Sequence, residues 1–296
     1  MKSIFAFIFC LFASSVFAQT DSAVIKPVKY PKGYEAVIDA VYHEVNGWKG
    51  REDIYYNPTA KKPTPIIFNI HGGGWKNGTK ESQGGFSTFF KMGYAVANIE
   101  YRLTGQATAP AAVEDVRAAI LYVVQNAQKF NINPHQIVVM GGSAGGHLAL
   151  MAGLLQNDNV FDGIYKNVKN YSIAAIVDKY GIVDVWDWAY GKIKTSRSAT
   201  DWLGSKANDE AFAKSVSPIY YVKKTSPPIF IVHGDADPTV PYQHSVSLKK
   251  KLDKVGVKNE FMTIPGGLHG KFTKEQNDEV FAAIATFLTA LNITTP

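Results

Sequence analysis

The chain has 296 residues, 46% of them hydrophobic and 19% charged, which suits one large α/β domain or two small ones and excludes general disorder. Its formal charge of +6 is a modest excess. The densest basic run, Lys249-Lys250-Lys251 with Lys254, falls on a predicted helix and reads as a solvated face, which argues against nucleic acid as a partner.

Residues 1–18 read as a secretory signal. Lys2 opens them, Ile4 to Phe12 form a short apolar core, and small residues precede a cut expected after Ala18. The apolar run is too short to span a membrane comfortably and no second one follows, so no membrane anchor is expected after cleavage. The expected location is secreted or periplasmic. Cys10, the one cysteine, lies inside this segment and follows Phe9, which does not suit a lipid-attachment site. The mature chain therefore has no disulfide, no thiol nucleophile and no thiolate metal site.

Residues 19–34 form a Lys- and Pro-containing lead-in, and Val37–Val45 and Asp53–Tyr56 read as an opening hairpin or edge. Pro65–Ile70 is a continuous apolar run that suits a strand buried on both faces, and it ends in His71-Gly72-Gly73-Gly74-Trp75. Tyr94–Tyr101 is the next strand. Ala109–Phe130 is a long helix whose apolar stripe runs through Val113, Val116, Ile120, Val123 and Val124, with Asp115 and Arg117 off the stripe; Asn131–Pro134 stops it. A strand over Ile137–Met140 turns through Gly141-Gly142-Ser143-Ala144-Gly145 into a small-residue helix. Strands follow at Ile173–Val177, Pro228–Val232 and Glu260–Ile264, with helices over Ser245–Val255 and Lys274–Leu291. Residues 183–225 break this rhythm as an aromatic, cap-like insertion. Alternating strands and helices predict an α/β fold with a mostly parallel central sheet and helices on both faces, and no second domain after residue 19.

In such sheets ligands sit beyond the carboxyl ends of the strands. Four predicted strands end there in polar, Gly-bearing turns, and these turns hold His71, Ser143, Asp237 and His269. Gly141 to Gly145 fits G-x-S-x-G in its required context of strand, tight turn and helix. A serine hydroxyl needs a base, and an imidazole needs a carboxylate to fix its tautomer. Ser143, Asp237 and His269 follow the chain order expected for a serine on such an elbow. Among seven histidines, His43 and His135 read as surface residues, His147 as packed in its helix, His233 as a brace for its loop and His244 as a helix opener. His269 is preferred as the base. Asp237, fixed before Pro238, is preferred over Asp235 as the acid. Backbone N–H groups suit an oxyanion, and the glycine triplet together with Ala144 supplies them.

These four segments together resemble the α/β-hydrolase superfamily, in its esterase/lipase group with an HGGG loop. Gly-Gly-Ser-Ala-Gly-Gly-His-Leu-Ala with Trp75 is most similar to the bacterial acetylxylan- and feruloyl-esterase-like branch. The resemblance spans residues 50–291. It implies Ser143 as nucleophile, Asp237 as acid, His269 as base, and Gly73, Gly74 and Ala144 as oxyanion donors, with Gly72 beside them. Many HGGG enzymes carry an acidic residue before the serine; Gly142 stands here, which favours the carbohydrate-esterase type. The expected activity is that of a secreted serine carboxylesterase acting on acetyl or feruloyl esters of plant polysaccharides, with no cofactor and no metal. The alternatives are a general short-chain carboxylesterase or lipase, an arylformamidase-like amidase and, least favoured, a non-catalytic binding module. Trp75, Trp186 and Trp188 are candidate substrate contacts, the last two with Tyr190 forming either an aromatic wall or the core of the cap. The sequence carries no signal for oligomeric state.

Overall fold

The apolar runs pair into one eight-stranded sheet. In chain order its strands are β1 (Glu35–Val45), β2 (Trp48–Tyr56), β3 (Thr64–Ile70), β4 (Ala95–Ile99), β5 (Ile132–Gly142), β6 (Ile173–Lys179), β7 (Ile229–Gly234) and β8 (Asn259–Ile264). The computed structural model describes residues 27–156 and 158–294, so the predicted signal segment and Cys10 lie outside the described residues. The strand order is β1-β2-β4-β3-β5-β6-β7-β8. β1/β2 and β2/β4 pair antiparallel, and every pair from β4 across to β8 is parallel. Among the described residues no helix is long and apolar enough to cross a membrane.

Both faces of the sheet are covered, and β3 shows why its sequence is apolar throughout. Ile66, Phe68 and Ile70 enter one core, beside α2 (Ala111–Gln125) and α3 (Ala144–Leu155). Ile67, pointing the other way, joins a second core with Phe89 of α1 (Ser87–Lys91) and Ile284 of α8 (Lys274–Ala290). A strand with period-two side chains and two buried faces has no polar face to show. Between β6 and β7 the chain makes only short helices, α4 (Val185–Tyr190), α5 (Arg197–Leu203) and α6 (Glu210–Ser215). The helix α7 (Gln243–Val255) completes the set.

The helix expected over 109–130 is shorter, Ala111–Gln125, and β5 starts at Ile132 because Thr64 pairs with it. A larger difference concerns Asp115 and Arg117, which lie off the apolar stripe yet are buried. The Arg102 guanidinium meets the Asp115 carboxylate through Nε (2.8 Å) and Nη2 (2.8 Å). Arg117 pairs with Asp162 at 2.6 and 2.9 Å. It also donates to the carbonyls of Ala152 and Gln156, at the C-terminal end of α3. Polar atoms can be buried when each donor has an acceptor.

Glu52 departs from that rule. Both of its carboxyl oxygens are buried with no hydrogen-bond partner among the described residues. Burial, with Asp53 nearby, holds its pKa well above the usual carboxylate range. A raised folded-state pKa means that stability is fully present below the unfolded Glu pKa and is lost as pH rises towards the folded one. The loss has a limiting slope of about 1.4 kcal/mol per pH unit. Urea titrations of wild type and Glu52→Gln should show the wild type losing more stability between pH 5 and pH 8. Parallel profiles would refute the account. Arg117→Met, which leaves Asp162 uncompensated, should cost about 3–5 kcal/mol in the same assay.

Candidate active site

The carboxyl ends of β3, β5, β6, β7 and β8 converge on one cleft. Ser143 sits between β5 and α3 with φ 58° and ψ −123°, a left-handed conformation that a non-glycine residue holds only when its surroundings impose it. The surroundings do so through close backbone packing. A Cβ on Gly145 would lie 2.2 Å from the Ile70 carbonyl oxygen, and one on Gly141 would lie 2.2 Å from the Gly145 oxygen. The Ser143 N–H donates to the Lys179 carbonyl at 2.9 Å, fastening the turn to the end of β6. The elbow is thus held by β3 on one side and β6 on the other, and Ser143 remains 9% exposed.

The three residues predicted to act together are in hydrogen-bond contact. The Ser143 hydroxyl donates to His269 Nε2 at 2.8 Å. On the far side of the ring, His269 Nδ1–H donates to Asp237 Oδ2 at 2.6 Å. That second bond places the proton on Nδ1 and leaves Nε2 free to accept. Asp237 is clamped in turn. Its Oδ1 accepts from the backbone N–H groups of Thr239 (2.7 Å) and Val240 (3.0 Å). Its Oδ2 also accepts from His233 Nε2–H at 3.1 Å, while His233 Nδ1 accepts from the Ser245 hydroxyl at 2.8 Å. Burial alone would raise the Asp237 pKa, but the donors from His233, His269 and Thr239 outweigh it and hold the group well below the usual carboxylate range. Asp235 serves the loop instead, accepting from the Gly266 N–H at 2.7 Å.

The glycine triplet lines the cleft opposite His269. Gly73 and Gly74 have φ 109° and 62°, and a Cβ on Gly73 would fall 2.0 Å from the Asn77 carbonyl oxygen. Such a path turns bare backbone towards Ser143. A Cβ on Gly72 would stand 2.7 Å from the Gly142 oxygen and 3.4 Å from the Ser143 Cβ, so this loop and the elbow are in contact. Tyr101 O–H donates to the His71 carbonyl at 3.0 Å and secures the loop from beneath. Ala144 is the first residue of α3, where backbone N–H groups have no intrahelical acceptor.

The three tryptophans separate. Trp75 is 0% exposed and does not line the cleft. Its ring stacks on Trp202 at 4.4 Å and meets His147 edge-on at 5.0 Å, so it anchors the glycine loop to α3 and α5 and does not contact substrate. Trp186 packs on Tyr190 at 4.6 Å and also lies outside the cleft. Only Trp188 reaches it, with Nε1–H donating to the Thr239 carbonyl at 3.2 Å. The expectation of an aromatic wall thus reduces to one ring. Lys179 and Tyr180 were missed: Lys179 ends β6 and Tyr180 follows it, both lining the cleft, and Tyr180 packs edge-on against His269 at 5.0 Å. Their signal was positional, since they close an apolar strand at the sheet's carboxyl edge. Among the described residues no His/Cys/Asp/Glu group has a metal-binding arrangement.

Comparison with known proteins identifies the fold and the family. The sheet and helices match those of α/β-hydrolases. Residues 52–252 match the BD-FAE family model, and the chain belongs to that family. It is 29% identical over 219 residues to esterase LipC of Mycobacterium tuberculosis and 28% identical over 231 residues to esterase LipQ of the same organism, matches that cover 71% and 74% of this chain. The chain spans about half the length of these curated relatives, 53% and 54%. A truncated carbohydrate esterase from gut microbiota superposes with TM-score 0.74 and 31% identity, over 88% of this chain and 97% of that one. An acetyl ester-xyloside bifunctional hydrolase from Caldicellulosiruptor lactoaceticus shares the fold with TM-score 0.75 at 23% identity, over 90% and 98% of the two chains.

The doubly held carboxylate yields a test. Asp237→Asn should lower kcat on a simple ester by about 10⁴-fold through the wrong imidazole tautomer. His233→Leu removes one of two donors to the same oxygen and should lower kcat by a smaller factor with KM little changed. A KM effect alone would show that His233 serves only the loop.

Proposed function

We propose that this chain is an exported serine carboxylesterase that removes small acyl groups, acetyl or feruloyl, from plant polysaccharides. The observation that carries the chemistry is the continuous relay Ser143–His269–Asp237 beside a glycine-built wall. Ser143 Oγ attacks the ester carbonyl while His269 Nε2 takes its proton. Asp237 stabilises the imidazolium, and the N–H groups of Gly73, Gly74 and Ala144 receive the developing oxyanion. The tetrahedral intermediate collapses as Nε2–H protonates the leaving alcohol. Water, activated by the same imidazole, then releases the acid and restores Ser143. The sequence uses side chains, backbone and water, and needs no cofactor.

The cleft supports the substrate class. It encloses about 660 Å³, and among the described residues no Leu, Ile, Val, Met or Phe lines it. Glycines, the hydroxylated residues Ser196, Ser198 and Thr239, and the rings of Tyr180 and Trp188 line it instead. Such walls give a long acyl chain no aliphatic side chain to pack on, whereas their hydroxyls and rings can meet the hydroxyls and faces of a sugar. The relatives named as esterases and the carbohydrate esterase of similar structure point the same way. Export rests on the charged start, apolar core and small residues of positions 1–18.

Ser143→Ala should reduce kcat/KM on p-nitrophenyl acetate by roughly 10⁶-fold; appreciable residual hydrolysis would refute the mechanism. For the wild type, acetyl esters should be cleaved at least about tenfold faster than decanoyl esters, as kcat/KM. Equal values would remove the short-acyl reading. Acetate or ferulate released from decorated xylan, measured directly, tests the polymer.

A further inference from the structure

One charged group in the cleft has no part in the relay. Lys179 ends β6 and lines the cleft together with Ser82 and Gln83, on the side of the sheet covered by α1 and α8. Among the described residues its ammonium forms no ion pair; it lies over the Phe281 ring, 5.9 Å from the centroid. Three cations set into the core are matched. Lys80 meets Asp39, Asp53 and Glu81 within 2.9 Å, Arg102 meets Asp115, and Arg117 meets Asp162. Its carbonyl accepts from the Ser143 N–H, so the side chain starts one hydrogen bond from the nucleophile.

From this placement we infer that Lys179, which shares the cleft lining with Ser82 and Gln83, is an anion subsite that selects esters bearing a carboxylate near the scissile carbonyl. The inference rests on the esterase reading and narrows its substrate class. A lysine in this role acts as a point charge on a flexible stem, so the carboxylate can approach at varied angles. The Ser82 hydroxyl donates to the Thr79 carbonyl at 2.7 Å, and Gln83 Nε2, which donates to that hydroxyl at 3.1 Å, keeps a second N–H for the carboxylate. Burial pushes the Lys179 ammonium down to about 8, which leaves it mostly charged at neutral pH but poorly solvated. A cation without a carboxylate partner gains from an incoming anion through charge-assisted hydrogen bonds. The carboxylate can belong to the acyl group, as in a half-ester of a dicarboxylic acid, or to the alcohol, as in a uronic acid residue.

Two matched pairs distinguish these sources. The acyl arm compares p-nitrophenyl hemisuccinate with p-nitrophenyl butyrate. The alcohol arm compares an acetylated methyl glucuronoside with the acetylated methyl glucoside. In at least one arm the wild type should favour the anionic ester by about tenfold in kcat/KM, and the advantage should shrink with added salt. Lys179→Met should abolish that ratio and Lys179→Arg should preserve it; if the Met variant does not fold, Lys179→Gln takes its place. Hydrolysis of the neutral esters with no anionic preference in either arm overturns the subsite and leaves the esterase reading standing. A preference that survives loss of the ammonium overturns it equally. Absence of all ester hydrolysis in the wild type overturns the esterase reading and the subsite together.

Discussion

The contact on which the site depends is between backbones: the first turn of α3 lies against the carbonyl end of β3. A methyl group at Gly145 would come within 2.2 Å of the Ile70 oxygen, so the helix approaches the sheet as nearly as a glycine allows. That approach forces the chain between β5 and α3 through the left-handed conformation at Ser143, and the strained turn lifts the hydroxyl clear of the sheet. It also brings the elbow against Gly72, so that the glycine loop and Ser143 are neighbours by construction. Any residue with a side chain at Gly145 would push α3 outward and separate the two.

Around this fixed point the relay is built from strand ends. β7 delivers His233 and the Asp237 turn, and the loop after β8 delivers His269. The carboxylate between them has every oxygen occupied by donors, two of them imidazole N–H groups. An acid so held cannot rotate, and its orientation fixes the tautomer on which proton transfer depends. Lysine at the end of β6 adds the only charge in the cleft that the relay leaves unused among the described residues.

Much of this was legible in the chain. Apolar runs ending in Gly-bearing turns marked the strand ends, and the order Ser143, Asp237, His269 marked the relay. Periodicity misled at Asp115 and Arg117, because it records where apolar residues recur and not which positions are buried. The partners that make their burial tolerable, Arg102 and Asp162, lie 13 and 45 residues away, beyond the reach of any local pattern. Trp75 misled for a related reason. It follows the glycine loop in sequence and so suggests a place in the cleft, yet its backbone takes a positive φ of 57° and turns the indole into the core towards Trp202. His233 was legible as a brace for its loop, but its bond to Asp237 required the fold of that loop to be seen.

Arg117 carries a consequence for how the molecule fails under stress. Its guanidinium holds the far end of α3 through the carbonyls of Ala152 and Gln156, while β3 and β6 hold the near end. A helix pinned at both ends has no soft mode of its own, so Ser143 cannot drift away from an otherwise intact sheet. Thermal inactivation and global melting then become one event for Ser143. The short helices between β6 and β7 share in this, since Trp202 of α5 carries Trp75 and with it the glycine loop.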